Sequence, residues 1–282
     1  MTDAAGSGGV TVATALAEAR ALGLDRLDAH WLLAHALRCD RSWLLAHDDA
    51  ALAPPVAAAF AAHARRRAAG EPLAYLVGEK EFHGLTLTVN ADVLVPRPET
   101  EGLVEWALEL LNGEFARVAP ARVLDLGTGS GAIALAVKQA RPDARVMALD
   151  VSADALAVAA ANASRLGLDV EFLRSHWWHA LAGRRFDLLL SNPPYIRRTD
   201  PHLGALRHEP ALALTSGANG LEALQAVVAG AAEHLEDGGW LLMEHGHDQA
   251  AEVQALLRQH GFCNVQTRPD LAGLARCTGA CR

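Results

Sequence analysis

The sequence predicts an α/β fold: a doubly wound sheet of about seven strands, preceded by a small helical unit and a β-hairpin linker. Three observations predict it. Apolar strand candidates alternate with helical stretches from Arg122 onward. The first of them runs into a glycine-rich turn that opens a helix. Before residue 70 there is no strand signal, and between Gly78 and Pro96 the pattern switches to strict alternation. The expected boundaries are therefore a helical domain over 1–76, a hairpin linker over 77–96 and the α/β domain over 97–282.

In chain order, helices are expected over Thr11 to Leu22 and Leu27 to Arg38, where Leu27, Trp31 and Ala34 follow helical spacing. A further helix should start at Pro54-Pro55, since a first-turn proline needs no amide partner, and stop at Gly70. Its last turn holds Arg65, Arg66 and Arg67, readable as a solvated end placed well against the helix dipole or as a binding patch. In the linker, Leu85, Leu87 and Val89 fall on one face and Thr86 and Thr88 on the other, with Gly84 at the turn. Pro96-Arg97-Pro98-Glu99-Thr100-Glu101 then opens a helix that continues through Leu103, Val104 and Ala107. The strand candidates are Val123 to Leu126, Val146 to Leu149, Val170 to Leu173, Phe186 to Leu190, Trp240 to Met243, Cys263 to Thr267 and Leu274 to Ala280.

At 282 residues, 51% hydrophobic and 21% charged, the chain can bury the core of one sizeable α/β domain plus a smaller companion. No run of about eighteen apolar residues lacks charges, so a membrane span is not expected. Met1 to Val10 is polar and glycine-rich without a basic-then-apolar leader pattern, and a cytoplasmic location follows as the expectation. Cys39, Cys263, Cys277 and Cys281 are too scattered for a disulfide framework and are expected as reduced, buried thiols, with Cys277 and Cys281 on one face of the final strand. The net charge of -8 disfavours a protein that grips nucleic acid through phosphate contacts and tilts the expectation toward a protein substrate.

Val123-Leu124-Asp125-Leu126-Gly127-Thr128-Gly129-Ser130-Gly131 is a strand entering a glycine-rich turn, followed by the helical run Ala132 to Gln139. Glycines at alternate positions permit unusual backbone angles and let the main chain approach a ligand closely. Asp150, about twenty residues on at the end of the next strand, is placed to accept from ribose hydroxyls. Together they imply an adenosine-type ligand, although dinucleotide-binding domains share the logic of the loop.

Asn192-Pro193-Pro194-Tyr195 follows directly on the buried-strand pattern Phe186 to Ser191, at the carboxyl end where ligands of open α/β sheets collect. An amide nitrogen is a poor nucleophile because its lone pair is delocalised into the carbonyl. Its two hydrogens need acceptors as the nitrogen pyramidalises. Asn192 can supply a side-chain oxygen and Pro193 a backbone carbonyl, while the prolines restrict the chain and remove competing amides. Two acceptors would turn the lone pair toward a sulfonium methyl, with Tyr195 against the planar group. Taken alone the tetrapeptide is also a rigid turn. Its position after a nucleotide loop and Asp150 favours methyl transfer to a conjugated NH2 group.

With these motifs in place, the chain resembles the bacterial release-factor glutamine methyltransferases, the HemK or PrmC family, over nearly its whole length. The matching pieces are Gly78 to Phe82, Leu94 to Glu101, Asp125 to Gly131, Asn192 to Ile196, Glu209-Pro210-Ala211-Leu212 and Glu244-His245-Gly246. The resemblance implies a class I S-adenosylmethionine methyltransferase domain with a Rossmann-like seven-stranded sheet. It further implies methylation of the glutamine N5 in the Gly-Gly-Gln motif of peptide chain release factors, the helical unit helping to hold that partner. S-adenosyl-L-methionine is the implied cofactor. By the same resemblance Gly127, Thr128, Gly129, Ser130 and Gly131 form the methionine-contacting loop, Asp150 the ribose acceptor, and Trp177 an aromatic beside the adenine. Asn192, Pro193, Pro194 and Tyr195 grip the glutamine, Asn192 bordering the cofactor as well.

Two departures stand out. Family members commonly place Asp before the tryptophan, whereas this chain reads Ser175-His176-Trp177-Trp178, with His176 either a neutral hydrogen-bonding group or exposed. His208 precedes Glu209-Pro210 where an aromatic is usual. His245 is expected as a satisfied strand-end histidine rather than a metal ligand, and Arg97 and Glu99 as either gate or substrate contacts or a helix-start ion pair. The rival readings are a nucleic-acid amino-methyltransferase, a dinucleotide oxidoreductase, and an adaptor with a vestigial cofactor site.

Overall fold

The computed structural model describes residues 9–118 and 120–282, so the start of the chain read above for a leader lies outside the described residues up to position 8. Two compact units divide after Gly78, which places the hairpin with the α/β unit.

Among the described residues the first unit holds five helices. Thr11 caps α1 (Val12–Ala21): its side chain accepts from the Thr14 amide, and the Thr14 hydroxyl in turn accepts from the Thr11 amide. Asp25 caps α2 (Arg26–Leu37), accepting the Leu27 amide at 2.7 Å, and the helix ends on Arg38 in the left-handed region, φ 55°. The spacing of Leu27 and Trp31 correctly marks a helix but not its inner face. Both are about half exposed, Arg41 lies over the Trp31 ring at 5.3 Å, and α2 buries Ala29, Leu32, Leu33 and Ala34 instead. α3 (Arg41–Ala46) and α5 (Leu73–Val77) are too short to show periodicity in sequence. α4 (Pro54–Ala68) starts at the proline pair. Arg66 and Arg67 at its end pair with Glu71 and Asp28. The core joins Val12, Leu33, Leu44, Phe60 and Leu76.

The second unit opens with the hairpin β1 (Glu79–Phe82) and β2 (Leu85–Thr88). His83 and Gly84 both take positive φ, 48° and 77°, as a two-residue turn compatible with strand twist requires. Leu85, Leu87 and Val89 are buried and Thr86 and Thr88 exposed, as the alternation predicts. The helix expected from Pro96 begins later. Arg97 is extended (φ -98°, ψ 140°) because Pro98 disfavours a helical residue before it, a 3-10 turn spans Pro98–Thr100, and α6 runs Glu101–Asn112.

β3 (Arg122–Leu126), α7 (Ala132–Ala140), β4 (Arg145–Asp150), α8 (Ala153–Leu166) and β5 (Glu171–Arg174) build outward in one direction. β6 (Phe186–Ser191), the short α9 (Ala211–Leu214), α10 (Glu222–His234), β7 (Leu235–Glu244), α11 (Ala250–Gln259), β8 (Cys263–Pro269) and β9 (Ala275–Cys281) build in the other. The seven-stranded order is β5-β4-β3-β6-β7-β9-β8, parallel from β5 to β7, with β9 antiparallel between β7 and β8. Chain direction across the sheet reverses between β3 and β6, the crevice where ligands of such sheets bind. Val123, Val146, Leu188 and Leu190 face α6 and α7 on one side; Leu124, Leu126, Leu149 and Leu189 face α10 and α11 on the other. Being covered on both faces explains why these strands read as unbroken apolar runs. All four thiols are free, but of the four only Cys277 is buried, which pushes its thiol up; Cys39 and Cys281 are half-buried and Cys263 on β8 is exposed. Among the described residues no helix is long and apolar enough to cross a membrane.

Candidate active site

The glycine turn is built by the strands on either side of it. Gly127 and Thr128 both donate their amides to the Leu149 carbonyl of β4, each at 2.9 Å. Gly127, Gly129 and Gly131 take φ of 76°, 55° and 86°, which other residues rarely adopt. Asp150, ending β4, accepts the Gly129 amide on Oδ2 at 3.0 Å and the Ser152 amide on Oδ1 at 2.9 Å, so one carboxylate sets the turn and the entry to α8 together. Gly131 serves packing: a Cβ there would lie 3.0 Å from Leu135 Cδ1 and 3.2 Å from Ala159 Cβ.

Asp125 is fully buried beneath the turn. Its Oδ2 accepts the Thr128 hydroxyl at 2.6 Å, while Oδ1 is enclosed with no hydrogen-bond partner among the described residues. Burial pushes its carboxyl up to about 7, with the Thr128 hydroxyl and the nearby Ala134 amide favouring the ionised form, although Ala134 does not reach hydrogen-bonding geometry with Oδ1.

After β5, the Ser175 hydroxyl donates to the Trp177 carbonyl at 2.7 Å and accepts the Ala180 amide at 3.1 Å. This tight turn holds Trp177 at φ 49° with its ring against Gly127, where an added Cβ would be 3.9 Å from the indole. His176 is exposed at the rim, its ring edge-on to Trp177 with centroids 6.2 Å apart. Trp178 points away, donating to the Ala226 carbonyl at 2.8 Å and stacking on His234.

Every residue of β6 is buried, and Ser191 ties its end to β3 by donating to the Leu126 carbonyl at 2.7 Å. The tetrapeptide thus leaves the sheet beside the glycine turn. Asn192 Nδ2 donates to Thr100 Oγ1 at 3.1 Å; the Thr100 hydroxyl donates to Glu244 Oε2 at 2.6 Å; the Tyr195 hydroxyl donates to Glu244 Oε1 at 3.1 Å. Burial raises both the Tyr195 phenol and the Glu244 carboxyl above their ordinary values. Gln249 donates to the Tyr195 and Gly220 carbonyls, and Gly220 has φ 80° and so little room that a Cβ would lie 2.4 Å from the Tyr195 oxygen.

These pieces enclose a cavity of about 450 Å³. Gly127, Thr128, Gly129, Ser130, Asp150, Trp177, Asn192 and Pro194 line it, as does His176. Gly131, Pro193 and Tyr195 are not in its lining: Gly131 packs on α7 and α8, and Tyr195 is turned to Glu244 rather than lying against the cavity. Thr100, given no role from sequence, lines the cavity, and so does Arg97. Arg97 pairs with the buried Glu209, which also accepts the Val95 amide at 3.1 Å, so a helix-start pair with Glu99 is replaced by a tie across the cavity wall. His245 is fully buried with Nδ1 at the Gly246 carbonyl and Nε2 at the Thr278 hydroxyl, and burial lowers its pKa. The open space over Gly129, the carboxylate of Asp150 and the indole of Trp177 together suit an adenosine that carries an amino-acid tail.

Two family models match: the PrmC N-terminal domain over residues 11–78 and the methyltransferase small domain over 102–208. The chain is 52% identical over 262 residues to the release factor glutamine methyltransferase of Xylella fastidiosa strain Temecula1, covering 92% of this chain and 94% of that one. With the Bordetella pertussis protein of the same name identity is 53% over 260 residues, covering 91% and 95%. Among solved structures, the hMettl16 catalytic domain in complex with a MAT2A 3'UTR hairpin superposes with TM-score 0.58 at 16% identity, over 77% of this chain and 81% of that one. The Thermus thermophilus 16S rRNA N2 methyltransferase RsmC in complex with AdoMet and guanosine gives 0.53 at 21%, over 72% and 49%. At such identities these two establish the fold. The full-length relatives and the crevice on which the motifs converge establish more: this chain is an S-adenosylmethionine-dependent methyltransferase and belongs to the release factor glutamine methyltransferase family.

Proposed function

We propose that this protein methylates the side-chain N5 of the glutamine in the Gly-Gly-Gln motif of peptide chain release factors, with S-adenosyl-L-methionine as donor. The observation that carries the reading is Asn192 and Pro194 at the end of β6, in one cavity with the glycine turn and Asp150. Bound there, the donor supplies an electrophilic methyl group on a positively charged sulfur. The chain's own residues then have the task of orienting a weak nucleophile. Asn192 gives one hydrogen of its own amide to Thr100, which leaves Oδ1 as the open acceptor for an incoming NH2 group. The Pro193 carbonyl is the second acceptor in this reading, and the two prolines, having no amide hydrogen, add no competing donors. Gln249 and Gly220 hold the Tyr195 backbone, so the tetrapeptide cannot swing away from the turn. Positioning of this kind supplies the rate, and no strong base is needed because the nitrogen becomes acidic as it gains the methyl group.

Purified protein incubated with a release factor and labelled donor should place one methyl on that glutamine, located by fragmentation mass spectrometry. Methyl incorporation elsewhere, or none, would overturn the reading. In Asn192→Ala turnover should fall by roughly 100-fold or more, with donor affinity by calorimetry largely kept.

A further inference from the structure

We propose that Thr100 and Glu244 form a one-way hydrogen-bond relay that fixes which end of the Asn192 carboxamide faces the reacting nitrogen. The inference rests on the reading above and adds two positioning residues to it. The oxygen and nitrogen ends of an asparagine amide have nearly the same shape, so packing alone does not choose between them. The choice matters, because an amide turned the wrong way offers the substrate NH2 two donors where it needs an acceptor.

Direction enters at Glu244. It is 1% exposed at the end of β7, and two hydroxyls converge on it: Thr100 on Oε2 at 2.6 Å and Tyr195 on Oε1 at 3.1 Å. The shorter distance is that of a hydroxyl donating to a charged carboxylate. Burial works against that charge, as does Glu99 beside Thr100, while the two hydroxyls and Arg276, facing Glu244 from β9, favour it. Thr100, 4% exposed, has a single hydroxyl hydrogen, and Glu244 takes it. Only lone pairs remain on Thr100 Oγ1, so its other partner must donate. That partner is Asn192 Nδ2, at 3.1 Å. The carboxylate therefore dictates the amide's orientation through the threonine without touching the substrate. The relay needs the hydroxyl alone, since the threonine methyl group takes no part in it.

The test is kinetic, with release factor as substrate. Thr100→Val keeps shape and removes the relay: kcat should fall ~10- to 100-fold while the dissociation constant for S-adenosylmethionine stays within about twofold. Thr100→Ser restores the hydroxyl and should return to within about threefold of the parent. A Thr100→Val protein that turns over like the parent, or a Thr100→Ser protein as impaired as Thr100→Val, overturns the proposal. If Thr100→Val does not fold, Thr100→Cys carries the comparison, because a thiol has the same connectivity as the serine hydroxyl, is only moderately larger, and is a weak donor and acceptor. Equal rates for Thr100→Cys and Thr100→Ser then overturn it. The parent protein is assayed alongside. No methyl transfer by the parent counts against the substrate reading itself, and the relay falls with it, whereas the pattern among variants bears on the relay alone.

Discussion

Asp125 is fully buried, with the Thr128 hydroxyl on one oxygen and no hydrogen-bond partner among the described residues on the other, and burial holds its carboxyl neutral up to about pH 7. In the unfolded chain the same group ionises near the ordinary aspartate value of 3.8. Unfolding between those values therefore releases a proton, and the stability it contributes is fully present below about pH 4 and lost as the pH rises to about 7. At about 1.4 kcal/mol per pKa unit the effect approaches ~4 kcal/mol across the window. Asp125→Asn should flatten this part of the pH-stability curve, measured by urea unfolding without cofactor; an unchanged slope would assign it to other groups. The residue also shows where sequence reading stops. Asp125 was visible as the last polar position before a glycine turn, but its missing partner is a three-dimensional fact. Thr100 and Glu244 were harder still. Each sat inside a motif, yet they lie 144 positions apart in sequence and Asn192 lies 92 from Thr100, so nothing local announces that one hydroxyl joins them.

Secondary elements were legible wherever local chemistry decided them. Strands covered on both faces read as apolar runs, and glycines marked the turns. β7 was seen only from Trp240, because its first half, Glu236-Asp237-Gly238-Gly239, is polar and glycine-rich although it continues the strand from Leu235. The proline-rich start of α6 was read as helix when Pro98 forces an extended residue before it. α10 carries a different dependence, on a missing side chain. Gly230 lies under the Trp178 indole, and a Cβ there would come within 2.3 Å of the ring. Gly230→Ala should therefore cost about 1–3 kcal/mol by overpacking, despite alanine's better helix propensity. Denaturant midpoints and tryptophan emission check this together, and a stabilised variant would show that the ring moves freely.

On the scale of the molecule, the reversal of the chain between β3 and β6 gathers the site at the carboxyl ends of the strands. That much followed from the alternation of strands and helices. The antiparallel β9 between β7 and β8 did not, because strand order is set by pairings that sequence periodicity does not encode. Nor did the role of Asn162. It is completely buried on α8, accepts the Thr88 amide at 2.8 Å, and donates to the carbonyls of Thr88 and Ser130, each at 3.0 Å. Arg165, one turn along, donates to the Thr86 carbonyl. Thr86 and Thr88 are the residues of β2 whose main chains look away from β1, so two side chains of α8 occupy the open margin of the hairpin. An open margin is a template on which a strand from another molecule can grow. The asparagine that steadies the cofactor turn thereby also guards the protein in crowded solution. Asn162→Ala should scatter light increasingly with concentration and time where the parent stays clear, a colloidal consequence of one amide.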